Sequence, residues 1–148
     1  NNFSQVDITG FNFHYELYSN KNEIKVVYNF TEPISKDQSA LELISKHSLR
    51  FRYSRQIIED KLKLFFNAKY AGEKFIMYGD DRLYLDDYFI SDLMVSLNIN
   101  QFLSLNFGCK NIFNYIDERR FLDDDYLKNI LSSYDPGRRL FLNLKINL

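Results

Sequence analysis

The stretch that closes the chain, YDPGRRLFLNLKINL (Tyr134–Leu148), joins a turn signal to a strict two-residue alternation. Asp, Pro and Gly at positions 135–137 are residues that favour a turn. After them, every second side chain is aliphatic, at Leu140, Leu142, Leu144, Ile146 and Leu148. Because successive side chains of a β-strand point to opposite faces, these five share one face, and the other face is mostly polar. The aliphatic face must therefore meet either a protein core or lipid.

The same alternation recurs along the whole chain and predicts an all-β fold of about seven antiparallel strands. The composition agrees, because 14 Phe and 11 Tyr accompany only 5 Gly and 2 Pro, and aromatic residues favour strands. The predicted strands cover residues 9–17, 23–30, 48–54, 61–70, 88–99, 103–110 and 140–148.

The connections between these strands alternate in length, which favours an up-and-down transmembrane β-barrel, with tight turns on its inner side and long loops on its outer side. Short links are predicted near residues 19–22, 55–60 and 98–101, and long links near 32–46, 78–87 and 114–138. Helices are expected only inside loops, such as 39–45 or 123–131. A soluble antiparallel sheet with one face on a core has the same alternation within its strands, so a soluble β-sheet protein remains the alternative.

The sequence lacks the residues that several classes of function require. A formal net charge of −1 argues against a dedicated nucleic-acid surface. Cys109 is the sole cysteine, and His14 and His47 are far apart, so no disulfide framework and no metal-ligand spacing is present. The acidic run at 123–125 lacks the Gly and Glu of a calcium-binding loop. No nucleophile, base and orienting group can be assembled. We therefore predict no catalytic residues, no metal and no cofactor, and a protein that is not an enzyme.

The odd number of predicted strands indicates a segment of a larger barrel, because single-chain bacterial barrels have an even number. An open sheet edge in lipid leaves unpaired backbone groups and is strongly disfavoured. The first strand, near Val6 to Tyr18, and the last, Leu140 to Leu148, are thus expected to pair with strands outside these 148 residues. Pairing between these two strands would instead indicate a small complete barrel.

Three segments carry a resemblance to a known family. The segment LNFGCKNIFNY (Leu105–Tyr115) resembles a signature of TonB-dependent outer-membrane receptors, with Gly108, Asn111, Ile112, Phe113 and Asn114 at the matching positions. Upstream, YLDDYFISDLMVSLNIN (Tyr84–Asn100) resembles the strand that precedes the signature. The closing stretch is similar to the final loop and strand of the family, through Pro136, Gly137 and Arg138.

The resemblance implies that residues 1–148 are the C-terminal portion of a receptor barrel of about 22 strands, whose lumen is plugged. The implied function is import of a scarce nutrient, such as an iron chelate, haem or a cobalamin, across the bacterial outer membrane with energy from the TonB system. The implied partners are outer-membrane lipid, the rest of the barrel and its plug, and the TonB complex through that plug. The family usually ends on an aromatic residue, whereas Leu148 is last here.

In such a barrel, Leu105, Leu142 and Leu144 are expected to face lipid, and Asn143, Lys145 and Asn147 to face the lumen. Two loop segments, 78–88 and 115–126, combine acidic residues with arginines and aromatics. They predict contacts for a bulky polar ligand, or alternatively solvated loops with weak local ion pairs. The ligand-contact candidates are Asp80, Asp81, Arg82, Tyr84, Arg119, Arg120 and Tyr126.

Overall fold

The computed structural model describes residues 6–35, 41–78, 80–116 and 137–146. Most of these residues lie in nine β-strands. The strands are β1 (Val6–Tyr18), β2 (Asn22–Ser35), β3 (His47–Ile58), β4 (Leu62–Ala71), β5 (Lys74–Tyr78), β6 (Asp81–Leu85), β7 (Tyr88–Asn98), β8 (Leu103–Lys110) and β9 (Arg139–Ile146).

Seven of the strands form one antiparallel sheet in the order β1-β2-β3-β4-β7-β8-β9, and β5 and β6 form a separate two-stranded sheet. Neighbours in the large sheet also follow one another along the chain, apart from the β5–β6 hairpin inserted between β4 and β7. Short connections at 19–21, 59–61 and 99–102 alternate with long ones at 36–46, 72–87 and 111–138. The predicted all-β, up-and-down arrangement and its rhythm of connections are confirmed.

The two edges of the large sheet are β1 and β9, which stand at opposite ends of the strand order. Within the residues that the structure describes, these two strands do not pair with each other. The open strand order agrees with a segment of a barrel and not with a small self-closed barrel. Pairing of the two edge strands with strands outside these 148 residues stays a prediction.

The chain divides into two compact units, of which the first comprises Asn1–Tyr53 and Ala68–Phe89. In this unit β1 and β2 pair along their whole length, and their register separates two kinds of cross-strand pairs. Apolar pairs on one face are Phe11 with Phe30, Phe13 with Tyr28, Tyr15 with Val26 and Leu17 with Ile24. The other face carries the polar pairs Asn12 with Asn29 and Glu16 with Lys25.

Hydrogen bonds and ion pairs link the polar face of β1 and β2. The Asn12 amide donates to Asn29 Oδ1, and Asn29 Nδ2 donates to Ser48 Oγ at 3.1 Å. Lys25 Nζ lies 3.2 Å from Glu16 Oε1. On the apolar face, Phe11 is 59% exposed and Phe13 is 53% exposed, so the residues that the structure describes do not cover the β1 part of that face. The polar side chains are thus organised among themselves, while the apolar ones are not buried.

The second unit comprises Ser54–Asn67 and Ile90–Leu148. In it, β8 pairs with β7 on one side and with β9 on the other, so cross-strand rows run over three strands. The apolar rows are Val95-Phe107-Leu142 and Leu97-Leu105-Leu144, and a polar row is Ser96-Asn106-Asn143. The register confirms that Leu105, Leu142 and Leu144 share one face and that Asn143 and Lys145 lie on the other. Asn147 lies outside the described residues.

Buried apolar side chains cluster around the β5–β6 hairpin. Among the residues that the structure describes, the buried hydrophobic ones are Leu41, Ala71, Ile76, Leu85 and Tyr88, all in the first unit. By contrast, the aliphatic side chains of β9 are among the most exposed, with Leu140 at 82% and Leu142 at 68%. The described part of the large sheet therefore has no protein core over its aliphatic face.

Two glycines allow close approach of neighbouring strands. A Cβ atom on Gly108 would collide with the Leu93 carbonyl oxygen and lie 2.9 Å from Met94 Cα, and one on Gly10 would collide with the Phe30 carbonyl oxygen. Since these obstacles are backbone atoms, they cannot rotate away. Both glycines are thus required by the spacing of the strands.

We expect Gly108→Ala to destabilise the protein by about 1–3 kcal/mol, because the β7 backbone must shift to admit the methyl group. The measurement is the urea unfolding midpoint of the polypeptide that contains this chain, folded in detergent micelles. Ser104→Ala, on the same strand, is the matched control and should leave the midpoint nearly unchanged. An unchanged midpoint for Gly108→Ala would contradict the close approach.

The structure corrects several details of the sequence prediction. Residues 78–87, predicted as a loop, contain β6 and the hairpin turn, and β2 continues to Ser35 instead of ending near Phe30. In the described part of 39–45, Leu43 has a φ of 59°, which is incompatible with a continuing helix. The suggested helix at 123–131 lies outside the described residues. No helix among the residues described is long and apolar enough to cross a membrane.

Candidate functional site

The β5–β6 hairpin carries the described members of the predicted ligand-contact set. Its register pairs Phe75 with Tyr84 and Met77 with Arg82 on one face. On that face the Arg82 guanidinium carbon lies 4.8 Å from the centroid of the Phe75 ring, and the Phe75 and Tyr84 rings are 6.3 Å apart. Ile76 belongs to the opposite face and is fully buried. The hairpin therefore presents an aromatic and cationic surface on one side and a buried apolar surface on the other.

The preceding long connection anchors the hairpin. The Leu43 N–H donates to the Phe75 carbonyl at 2.9 Å, and the Met77 N–H donates to Glu42 Oε1 at 3.1 Å. Leu41 and Leu85 are both buried. Hydrogen bonds from the 41–46 segment and buried apolar side chains thus fix the position of β5.

A groove of about 480 Å³ lies beside the hairpin, within the first unit. Its lining includes apolar side chains and several cationic ones, and Lys46 and His47 contribute from the start of β3. Lys46 Nζ forms an ion pair with Glu32 Oε1 at 2.7 Å. Lys74 Nζ, another lining group, lies 5.4 Å from the centroid of the Tyr88 ring. The groove is amphipathic and carries more cationic than anionic side chains.

The predicted ligand contacts divide into three groups. Arg82 and Tyr84 line the groove. Asp80 and Asp81 are exposed at the hairpin turn and do not line it. Arg119, Arg120 and Tyr126 lie outside the described residues. The structure thus brings together two of the seven candidates, and a role in ligand contact stays a prediction for all of them.

The groove also contains residues that sequence reasoning missed. Lys46, His47, Lys74 and Phe75 come from elements that are separated along the chain, and no motif links them. One signal for the hairpin was present, however, because Gly79-Asp80 is a two-residue hairpin sequence between the runs KFIMY and DRLYL. Recognising that turn would have converted the predicted loop into two strands.

A second organised site surrounds Asn111, in the second unit. Asn111 is completely buried and adopts a left-handed φ of 51°. Its Nδ2 donates to the Tyr115 carbonyl at 2.7 Å, and its Oδ1 accepts the Tyr115 N–H at 2.9 Å. Its own N–H donates to Asp92 Oδ1 at 2.9 Å. The Asn111 side chain therefore closes a tight turn directly after β8, and the Asn111 N–H connects that turn to Asp92 of β7.

The chain after this turn is hydrogen-bonded to the residue that precedes β9. Asn114 has a φ of 56°, and its Oδ1 accepts the Arg138 N–H at 2.9 Å. Next to Arg138, Gly137 has a φ of 101°, and a Cβ atom there would lie 3.2 Å from Asn114 Oδ1. The Asn111 and Asn114 side chains, with Gly137, thus hold the two ends of the long β8–β9 connection together, and we call this set the asparagine latch.

No metal site accompanies either arrangement. Among the residues that the structure describes, no group of three or more His, Cys, Asp and Glu side chains could hold a metal ion. The acidic run at 123–125 lies outside those residues.

Solved structures of three receptors are similar to this chain. A variant of the ferric enterobactin receptor (PfeA) from Pseudomonas aeruginosa, in complex with enterobactin, matches with a TM-score of 0.74 at 17% identity, over 94% of this chain and 22% of the receptor. The ferric-catecholate import receptor Fiu from E. coli matches with a TM-score of 0.72 at 14% identity, over 99% and 22%. The chain has the fold of a TonB-dependent receptor barrel. The ferripyoverdine receptor of the Pseudomonas aeruginosa outer membrane matches with a TM-score of 0.64 at 18% identity, over 76% and 16%.

The resemblance to TonB-dependent receptors seen in the sequence is thereby confirmed at the level of the fold. The chain spans about a fifth of the length of the receptors that it matches. No protein-family model matches the sequence, and no curated protein sequence matches it.

Within this TonB-dependent receptor fold, several residues of the predicted signature have a definite structural role. Gly108 admits the β7 backbone, Asn111 closes the turn, and Gly137 and the Arg138 N–H complete the asparagine latch. Phe113 is 65% exposed and lies outside that hydrogen-bonded set. Pro136 lies outside the described residues. The signature therefore specifies the geometry of a turn, and nothing in the arrangement requires a ligand.

Proposed function

We propose that this chain is the C-terminal portion of the wall of a TonB-dependent receptor, which imports a ferric chelate across the bacterial outer membrane. The observation that carries the proposal is a sheet of receptor-barrel fold with one aliphatic and one polar face. Among the residues that the structure describes, no protein core covers the aliphatic face. Leu140, Leu142, Leu144 and Ile146 form that face on β9, each at least 60% exposed. A soluble sheet would gain free energy by covering such a face with protein, whereas a barrel wall presents it to lipid.

The polar face fits the inside of a plugged barrel. Polar pairs such as Asn12 with Asn29 and Asn106 with Asn143 lie along the interior of the strands, at the depth where the opposite face is apolar. Polar side chains at mid-membrane depth are disfavoured unless they face a lumen. We infer that this face contacts lumenal water and the plug, which belongs to another part of the polypeptide, and that the plug couples the receptor to the TonB complex.

The open edges fit the same proposal. Each outer strand, β1 and β9, requires a hydrogen-bonding neighbour in the membrane. Because the matched receptors are about five times longer than this chain, we propose that further strands of the same polypeptide supply these neighbours.

An iron chelate is the favoured cargo among the nutrients that the sequence resemblance implied. The similar structures are named as receptors for ferric enterobactin, ferric catecholates and ferripyoverdine. The proposed role is binding and passage of a ligand without covalent chemistry, consistent with the prediction that the protein is not an enzyme.

The test is uptake of labelled nutrients by cells that carry or lack the gene encoding this chain. We expect uptake of radiolabelled iron, supplied as ferric enterobactin or as ferripyoverdine, to require the gene and to stop when an uncoupler dissipates the proton gradient. Labelled haem and labelled cobalamin are the matched alternatives. Gene-dependent uptake of haem or cobalamin alone would contradict the iron-chelate assignment. Recovery of the protein in the soluble fraction, with no gene-dependent uptake, would contradict the membrane wall itself.

A further inference from the structure

The groove beside the β5–β6 hairpin is continuous with the aromatic face of β1 and β2. His47 belongs to both, because it lines the groove while its ring centroid lies 5.2 Å from that of Phe30 and its Nδ1 lies 2.7 Å from the Tyr28 hydroxyl. Phe30 is paired with Phe11 on the apolar face. His47 also begins β3, directly after a long connection. The groove therefore adjoins the apolar face where the strands meet their long connections.

The groove combines positive charge with hydrocarbon. Its charged side chains are Lys46, Lys74, Arg82 and Glu73. Lys46 is ion-paired with the Glu32 carboxylate at 2.7 Å, so Lys74 and Arg82 outweigh the remaining carboxylate of Glu73. Arg82 lies over the Phe75 ring, and a cation on an aromatic face keeps its positive charge. Leu41 and Ile44 add aliphatic surface. An occupant that matches this lining carries an anionic group and an apolar portion.

We propose that the groove binds the phosphate-bearing headgroup of a membrane lipid, whose acyl chain lies along the apolar face beside Phe30 and Phe11. In a barrel wall, the junction between the apolar face and the loops lies at the level of the lipid headgroups. Cationic side chains at that level attract lipid phosphates. A free anion would use the cations but leave the aliphatic lining and the adjoining aromatic face unoccupied.

This inference rests on the proposed membrane wall, and it changes the role of two predicted ligand contacts. Arg82 and Tyr84 would contact lipid instead of the imported chelate. Tyr84 suits that position, because it is 49% exposed and tyrosine is enriched where one end of a side chain is apolar and the other is wet.

The test is lipid binding to the detergent-purified receptor that contains this chain, measured by native mass spectrometry. Phosphatidylglycerol, phosphatidylcholine and inorganic phosphate are titrated separately. We expect phosphatidylglycerol to be retained preferentially, and we expect Lys74→Gln combined with Arg82→Gln to weaken its retention about ten- to thirtyfold, because each cation near an anionic headgroup contributes comparably to binding. Arg50→Gln combined with Lys145→Gln removes the same charge elsewhere on the sheet and should leave retention unchanged.

Each result bears on the proposal in a definite way. Equal retention of phosphatidylglycerol and phosphatidylcholine by the unmodified receptor would overturn it, as would tight binding of inorganic phosphate alone, and neither result depends on whether a variant folds. Equal losses in the two double variants would also overturn it. A receptor that remains soluble and binds no lipid would instead contradict the membrane wall, so the two failures are distinguishable.

Discussion

Leu142→Arg is expected to destabilise the protein by about 2–4 kcal/mol, the cost of an arginine on the lipid face near the middle of a membrane barrel. Leu142 is 68% exposed on the aliphatic face of β9 and stands opposite Phe107. If lipid covers that face, the guanidinium must leave water for hydrocarbon. The neighbouring substitution, Asn143→Arg, puts the same side chain on the polar face opposite Asn106, where water is available, and should cost far less.

The measurement is reversible urea or guanidinium unfolding, in phospholipid vesicles, of the polypeptide that contains this chain, which gives the free energy of unfolding for each variant. The two substitutions differ by one position in the same strand, so strand propensity and length of side chain are matched. Equal costs at 142 and 143 would contradict the assignment of the faces. A small cost for both would indicate that neither face meets lipid.

Asn111→Ala is the second substitution with a large expected effect, of about 3 kcal/mol. The alanine removes two hydrogen bonds, to the N–H and to the carbonyl of Tyr115, and leaves both backbone groups without their partner. It also places a residue other than Asn or Gly at a φ of 51°, where asparagine is better tolerated. Since Asn111 is completely buried, water cannot readily replace its amide.

The effect of Asn111→Ala is measured by the same unfolding experiment, together with hydrogen exchange at the Arg138 amide, which the asparagine latch protects through Asn114. Faster exchange at that amide should accompany the loss of stability. Asn106→Ala, on the polar face of β8, is the control and should change stability by no more than about 0.5 kcal/mol. Equal effects of the two alanines would show that the latch contributes nothing.

The sequence predicted the strands of the large sheet because their residues alternate with period two, as in Leu103 to Lys110. It did not predict the β5–β6 hairpin, in which the buried residues Ile76 and Leu85 come from short strands with too few alternations to be recognised. The sequence pattern also predicted that β2 ends near Phe30, whereas in the structure pairing with β1 extends the strand to Ser35. Cross-strand pairing, which single-strand patterns do not encode, made that difference.

The candidate sites were less predictable than the strands. The signature residues Gly108, Asn111 and Gly137 could be identified, but their roles depend on partners distant in sequence, such as Asp92 for the Asn111 N–H. Ser91 of β7 is likewise almost completely buried beside this turn, and its carbonyl accepts the Ile112 N–H at 2.8 Å. The groove is lined by residues of β2, β3, β5 and β6 and of their connections, and no local sequence pattern predicts that these segments meet.

The described residues place no protein core over the aliphatic face, and this bears on how freely the side chains of that face can be replaced. In an ordinary interior, each side chain must fit the shapes of its neighbours, so one replacement constrains the next. A side chain facing fluid hydrocarbon has no fixed neighbour to fit, and leucine, valine, isoleucine and phenylalanine are nearly interchangeable there. Identities of 14–18% beside TM-scores up to 0.74 are compatible with such a weak constraint on side-chain shape. The constraint is strict where atoms meet other protein atoms, at tight turns such as the one closed by Asn111.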